Sequence, residues 1–197
     1  MSRTAIILSG GKSSRMGTNK SLLKINNKSN IEIIIAKLKQ GFDDIILVTN
    51  EPETYEFLGV KMVTDQYPGM GPLAGLHAGL QASHDEVNLL AACDMPFISV
   101  EAAEVLIRHL GNAHVAIPVI NGKQHPLFAV YKKDLAAIAA KCIEAGRLRM
   151  QDLQAQTTVQ YVTEQQFSEF AEAEISRIFF NMNHPKEYET AKQWAES

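Results

Sequence analysis

The stretch LSGGKSSRMGTNK, Leu8 to Lys20, closes the apolar run Arg3-Thr4-Ala5-Ile6-Ile7-Leu8 and decides how the chain is read. The run is partly β-branched and reads as a first buried strand. Gly10 and Gly11 follow at once. Two adjacent residues without Cβ let the backbone turn sharply and bring N–H groups close to a ligand. Arg15 and Lys20 add positive charge, with Gly17 between them. A strand, a glycine turn and spaced cations together suit a polyphosphate. A solvated surface turn is the bland alternative. The α/β pattern of the remaining chain weighs against it, because such sheets bind ligands at strand C-termini.

Neither of the commonest phosphate loops fits. Gly11-Lys12-Ser13 ends like a Walker loop, but Ile6 stands where its first glycine belongs. The dinucleotide fingerprint fails because Lys12 stands two residues after Gly10.

Composition narrows the function further. A chain of 197 residues supports one domain with a sizeable core, and 46% hydrophobic residues exclude disorder. No apolar run reaches membrane-spanning length, and Arg3-Thr4 leading into a strand does not form a signal peptide. Two cysteines, Cys93 and Cys142, suggest free thiols and a cytoplasmic protein. The net charge of −3 hides an asymmetry. Arg3, Lys12, Arg15, Lys20, Lys24 and Lys28 fall in the first thirty residues with no acid, whereas acids outnumber bases in the rest. Positive charge concentrated around the glycine turn points to a small anionic ligand. A nucleic-acid surface needs a broader basic stripe or stacking aromatics.

Along the chain, residues 29–40 carry helical spacing (Ile31, Ile34, Ile35, Leu38) with Gly41 as a stop. Strands are expected over 44–49, ending at Asn50, and over 60–64, ending at Asp65. The glycine- and proline-rich turn 67–75 leads into a helix over 73–82, with Pro72 at its start. Residues 87–93 are almost wholly apolar, as a strand covered on both faces should be, and end at Asp94. A carboxylate at the tip of a buried strand is well placed to hold Mg²⁺ over phosphates. Capping the next helix is the competing role, but Ser99 is the better cap. A helix over 101–110, a strand over 114–118, a hairpin turn at Asn121-Gly122 and a returning strand over 124–131 follow. Helices are expected over 135–145 and from Gly146. The apolar run 178–180 reads as the approach to a last strand end near Asn183, before a terminal helix started by Pro185. The alternation predicts a single-domain, three-layer α/β/α fold with a mostly parallel sheet and antiparallel character near one edge.

The motif L-x-G-G-x-x-x-R-M-G-x-x-K after an N-terminal strand resembles the signature of nucleotidyltransferases with a glycosyltransferase-A-like fold, the nucleotide-diphospho-sugar transferase type. Ser9 replaces the alanine usual there. Gly71-Pro72-Leu73-Ala74-Gly75, Cys93-Asp94-Met95-Pro96, His125-Pro126 and Asn181-x-Asn183-x-Pro185 together resemble the molybdenum cofactor guanylyltransferases. That resemblance implies GMP transfer from GTP to the terminal phosphate of molybdopterin. It implies nucleotide contacts at Leu8, Ser9, Gly10, Gly11, Lys20, Asn50, Asp65, Gly71, Pro72, Leu73 and Asp94. Arg15, Lys20 and Asp94 become the catalytic set, with Mg²⁺ on Asp94 and Asn183. His125, Arg149 and Asn181 become candidate acceptor contacts, although each also has an ordinary structural reading. Molybdoenzymes or cofactor-delivery proteins are the implied macromolecular partners. Three alternatives stay open: a cytidylyltransferase, a small sugar-phosphate nucleotidyltransferase, and a non-catalytic adaptor that delivers molybdopterin.

Overall fold

The computed structural model describes residues 1–9 and 19–197. Gly10, Gly11 and Arg15, expected at the phosphates, lie outside the described residues. The strands are β1 (Thr4–Leu8), β2 (Lys24–Ile25), β3 (Lys28–Ser29), β4 (Asp44–Val48), β5 (Lys61–Val63), β6 (Val87–Ala92), β7 (Val115–Ile120), β8 (Lys123–Gln124), β9 (Phe128–Lys132) and β10 (Val159–Thr163). The helices are α1 (Asn30–Leu38), α2 (Pro52–Tyr55), α3 (Pro72–Ala82), α4 (Val100–Leu110), α5 (Leu135–Glu144), α6 (Met150–Gln154), α7 (Glu172–Ile178) and α8 (Pro185–Glu196).

One sheet runs in the order β10-β7-β9-β6-β1-β4-β5, with β8 hydrogen-bonded to β7. Its central strands alternate between two cores. Ala5 and Ile7 of β1 pack under α1 and α4, while Ile6 packs under α3 and α5. Burial on both faces explains why β1 and β6 are nearly all apolar. The helix starts are fixed locally. The Ser29 N–H donates to Glu32 Oε2 at 3.1 Å, Ser99 Oγ accepts from Ala102 N at 3.0 Å, and Pro72 and Pro185 open α3 and α8.

The chain leaves β1 for β4 on one side and later returns to β6 on the other, both parallel to β1. Connections therefore diverge beyond the C-terminal ends of β1, β4 and β6 and open a crevice there. Helix α3 lies close on this region because it presents glycines. A Cβ on Gly79 would stand 2.3 Å from Ile6 Cγ2, and one on Gly75 would stand 2.7 Å from Leu8 Cδ2.

The structure adds to or departs from the sequence reading at three places. The turn at Asn121-Gly122 forms as expected, with both residues at positive φ and Ile120 paired to Lys123. The returning chain adds the expected antiparallel character on the β10 side of the sheet, through β8 on β7, but it also reaches further in. Its main strand, β9, inserts between β6 and β7, antiparallel to both. Phe128, Ala129, Val130 and Tyr131 are all buried, and consecutive buried residues require cover on both faces. Second, the run 178–180 is not a strand. Ile178 ends α7, Phe179 caps it, and the Phe179 ring packs edge-on against Phe167 and Phe128 at 5.6 and 5.8 Å. Asn183 therefore stands in the irregular connection between α7 and α8. Third, 157–174, to which the sequence assigns no element, contains the edge strand β10, parallel to β7. Gln160 and Tyr161 of β10 are exposed, so its apolar periodicity is weak.

Candidate active site

A crevice of about 420 Å³ opens at the C-terminal ends of β1, β4 and β6. Leu8 and Ser9 from β1 form its floor, with Val48, Thr49 and Asn50 from β4 beside them. Gly71, Pro72 and Gly75 come from the start of α3, Cys93 and Asp94 from β6, and Leu127 from the approach to β9.

Among the described residues, one end is uncharged except for a single carboxylate. Asn50 Nδ2 donates to Asp65 Oδ2 at 3.2 Å, and Asp65 N donates back to Asn50 Oδ1 at 3.3 Å. This reciprocal pair bridges the ends of β4 and β5. The other Asp65 oxygen, Oδ1, is buried and has no hydrogen-bond partner among the described residues. Ser9 is tied to the same strand end by its N–H and its hydroxyl, both donating to the Val48 carbonyl at 3.2 and 3.1 Å. Gly71 takes φ 77°, a left-handed value that favours glycine, just before Pro72 starts α3.

The other end carries the charge. Lys20 opens a short 3-10 turn whose entrance is capped by Asn19, with Ser21 N donating to Asn19 Oδ1 at 3.0 Å. The Lys20 ammonium donates to Asn183 Oδ1 at 3.2 Å across 163 residues of sequence. Met182 N donates to the Asp94 carbonyl at 2.7 Å. That single bond brings the connection after α7 against the tip of β6, so Asn183 adjoins Asp94. Glu187, in the first turn of α8, accepts from Asn183 N at 3.0 Å and fixes the connection from the far side. On the strand side, the buried Asn30 amide at the start of α1 donates to the Cys93 carbonyl. Burial pushes the Asp94 carboxyl above the usual carboxylate range. Lys20 and Lys123 oppose that rise, and Glu187 adds to it.

Lys20, Leu8, Ser9, Asn50, Asp65, Gly71, Pro72 and Asp94 thus share one crevice, as the sequence leads one to expect. Asn183 joins them through Lys20. Leu73 does not line it. Its side chain is fully buried in the core under α3, which leaves only its backbone for a ligand. His125, Arg149 and Asn181 do not line it either. The His125 ring is buried, packs at 5.0 Å on Phe179, and has its pKa lowered to about 4 by burial and by Lys123. It is therefore neutral near pH 7. Arg149 is exposed and pairs with Asp152 at 3.4 Å. The Asn181 amide donates to the Phe179 carbonyl at 3.1 Å. Cys93 is a core thiol, pushed up to about 12 chiefly by burial, and is protonated at neutral pH.

Sequence reading missed Thr49, Leu127 and Glu187. Thr49 directly precedes Asn50 and Leu127 follows His125-Pro126, so both positions were legible by adjacency. Glu187 carried the signal of an acid in the first turn of a proline-started helix.

A family model, the MobA-like NTP transferase domain, matches residues 5–159. The probable molybdenum cofactor guanylyltransferase of Pelotomaculum thermopropionicum is 34% identical over 194 residues, covering 98% of this chain and 94% of its own. That of Peptoclostridium acidaminophilum is 36% identical, covering 93% and 86%. Among solved structures, molybdopterin-guanine dinucleotide biosynthesis protein A from Archaeoglobus fulgidus superposes with a TM-score of 0.84 at 25% identity, covering 98% of both chains. The 2-C-methyl-D-erythritol 4-phosphate cytidylyltransferase from Thermus thermophilus shares the fold, with a TM-score of 0.72 at 16% identity. The chain belongs to the MobA-like NTP transferase family.

Proposed function

We propose that this protein transfers GMP from GTP to the terminal phosphate of molybdopterin, forming the guanine dinucleotide cofactor. An acceptor phosphate oxygen attacks the α-phosphorus of GTP. A phosphoanhydride bond forms as the α–β bridging bond breaks, and its electron pair leaves on pyrophosphate. The nucleophile is already an anion, so no general base is required. The reaction needs alignment and offsetting of crowded negative charge. The observation that carries this reading is the polarity of the crevice: the Asn50–Asp65 pair at one end, and Lys20 with Asp94 and Asn183 at the other.

Each end has a separate task. Guanine presents adjacent N–H donors, and Asp65 brings a carboxylate, a pure acceptor, to the crevice lining to receive them. The backbone at Gly71 and Pro72 forms the crevice wall where a base would lie. Lys20 is a compact charge on a flexible stem, suited to β- and γ-phosphate oxygens. Arg15, Gly10 and Gly11 are assigned to the phosphates on the sequence motif alone.

The residues at the charged end fit Mg²⁺. Asp94 offers a carboxylate and Asn183 an amide oxygen, both hard donors, on segments joined by the Met182–Asp94 hydrogen bond. Burial already destabilises the Asp94 anion, so a cation beside it is favoured. Bound there, Mg²⁺ would supply positive charge to phosphate oxygens and leave most of its coordination to water and nucleotide. A cytoplasmic setting fits the same reading, since both cysteines are free thiols. No helix among the described residues is long and apolar enough to cross a membrane. Delivery to molybdoenzymes, directly or through carrier proteins, is the expected fate of the product.

Thermal unfolding with Mg²⁺ and GTP, CTP, UTP or ATP tests the base assignment, because a ligand that binds only the native state raises the midpoint. GTP is expected to give the largest shift. An equal or larger shift with CTP would transfer the protein to cytidylyl chemistry.

A further inference from the structure

Lys20 and the proposed metal compete for the same oxygen. In the ligand-free arrangement the Lys20 ammonium stands 3.2 Å from Asn183 Oδ1. It is also the largest charge opposing the effect of burial on Asp94. A divalent ion bound to the same Asn183 oxygen at about 2.1 Å would lie within a few ångströms of that ammonium. Like charges at such separation repel strongly in a partly buried site. The lysine stem rotates freely, and the ammonium lines the crevice that nucleotide phosphates would enter.

We propose that Lys20 serves as a built-in counter-ion, its ammonium occupying the divalent-cation position until nucleotide phosphates draw it away. Metal binding is then conditional on nucleotide. The ammonium shields Asp94 and Asn183 from free divalent cations, and the incoming phosphates both remove it and add their own oxygens to the metal. Metal–nucleotide coupling is built into one side chain. Asn183 gains a second role as the rest position for Lys20, and Glu187 supports that role by holding the Asn183 backbone. The inference deepens the metal reading above and rests on it.

The test is Mn²⁺ binding to the nucleotide-free protein, followed by calorimetry and by the loss of the free-ion paramagnetic signal. Native protein, Lys20→Met, Lys20→Gln, Asp94→Asn and the double variant Lys20→Met with Asp94→Asn are compared, each checked for native folding by circular dichroism. Removing the ammonium is expected to tighten nucleotide-free Mn²⁺ binding by at least about tenfold. This runs opposite to the loss expected for GTP affinity in the same variants. Unchanged or weaker Mn²⁺ binding in both Lys20 variants would overturn the counter-ion role while leaving the metal site standing, provided Asp94→Asn abolishes binding. Equal Mn²⁺ binding in Lys20→Met and in the double variant that also carries Asp94→Asn would overturn the metal site itself, and the counter-ion role with it.

Discussion

The two ends of the crevice hold one aspartate each, and the two are built in opposite ways. Asp65 sits at the tip of a short edge strand and is satisfied by a neighbour, Asn50, in a reciprocal pair. Asp94 sits at the tip of a central, fully covered strand, where burial raises its pKa and a distant lysine offsets part of the cost. The first arrangement fixes the direction of a few hydrogen bonds, as recognition of a base requires. The second concentrates uncompensated charge, as handling phosphates and a cation requires. On the proposed function, recognition and chemistry are separable along one groove, and substitutions at its two ends should fail differently.

The largest effect is expected at the charged end. Asp94→Asn should lower nucleotidyl transfer by at least about a hundredfold, through loss of the only carboxylate among the proposed metal ligands. The same substitution should raise the unfolding midpoint of the ligand-free protein at pH 7. The sign follows from linkage: the folded carboxyl holds its proton more tightly than the unfolded one. Native stability therefore falls as pH rises from the ordinary carboxylate range through the raised folded pKa. The variant lacks that loss, so the gap between the two proteins should close again in acid. A variant that is less stable at pH 7 would show that Asp94 is a structural ion-pair partner and would break the contrast.

A smaller effect is expected at the other end. Asp65→Asn should reduce GTP affinity by about tenfold to a hundredfold and erode the preference over ATP and CTP. Turnover at saturating GTP should change little. Calorimetry with the four nucleotides checks the affinity, and a collapse in turnover at saturation would merge the two ends into one functional unit.

How much of this was legible in the sequence follows the same division. Asp94 was readable because its strand is buried on both faces and so almost wholly apolar, which makes the first charged residue conspicuous. Asn50 and Asp65 stood at ends of shorter apolar runs, where a turn former or a cap is the ordinary reading, and only the motif resemblance marked them. The caps at Ser29 and Ser99 obey local hydrogen-bond rules that need no tertiary information. The closing connection was different. Ile178 to Phe180 is apolar because the Phe179 ring meets Phe167 and Phe128 while Phe180 packs on Trp194, and local composition could not distinguish that packing from a strand. Asn183 reaches the site through the Met182–Asp94 and Lys20–Asn183 bonds, which link residues far apart in sequence. The insertion of β9 between β6 and β7 was likewise a choice of sheet position, which the hairpin signal at Asn121-Gly122 does not encode. His125 was flagged by a motif, yet it lies against Phe179 with a neutral ring.

The central claim is that charge gathered around Asp94 serves nucleotidyl transfer selected for guanine. Pyrophosphate release by the native protein with molybdopterin and each of the four nucleoside triphosphates, with Mg²⁺ and then with chelator, tests it most directly. The account predicts release with GTP well above that with CTP, UTP or ATP, and its loss on chelation. Binding of GTP or molybdopterin with no release from any nucleotide would contradict it and identify the protein as a carrier.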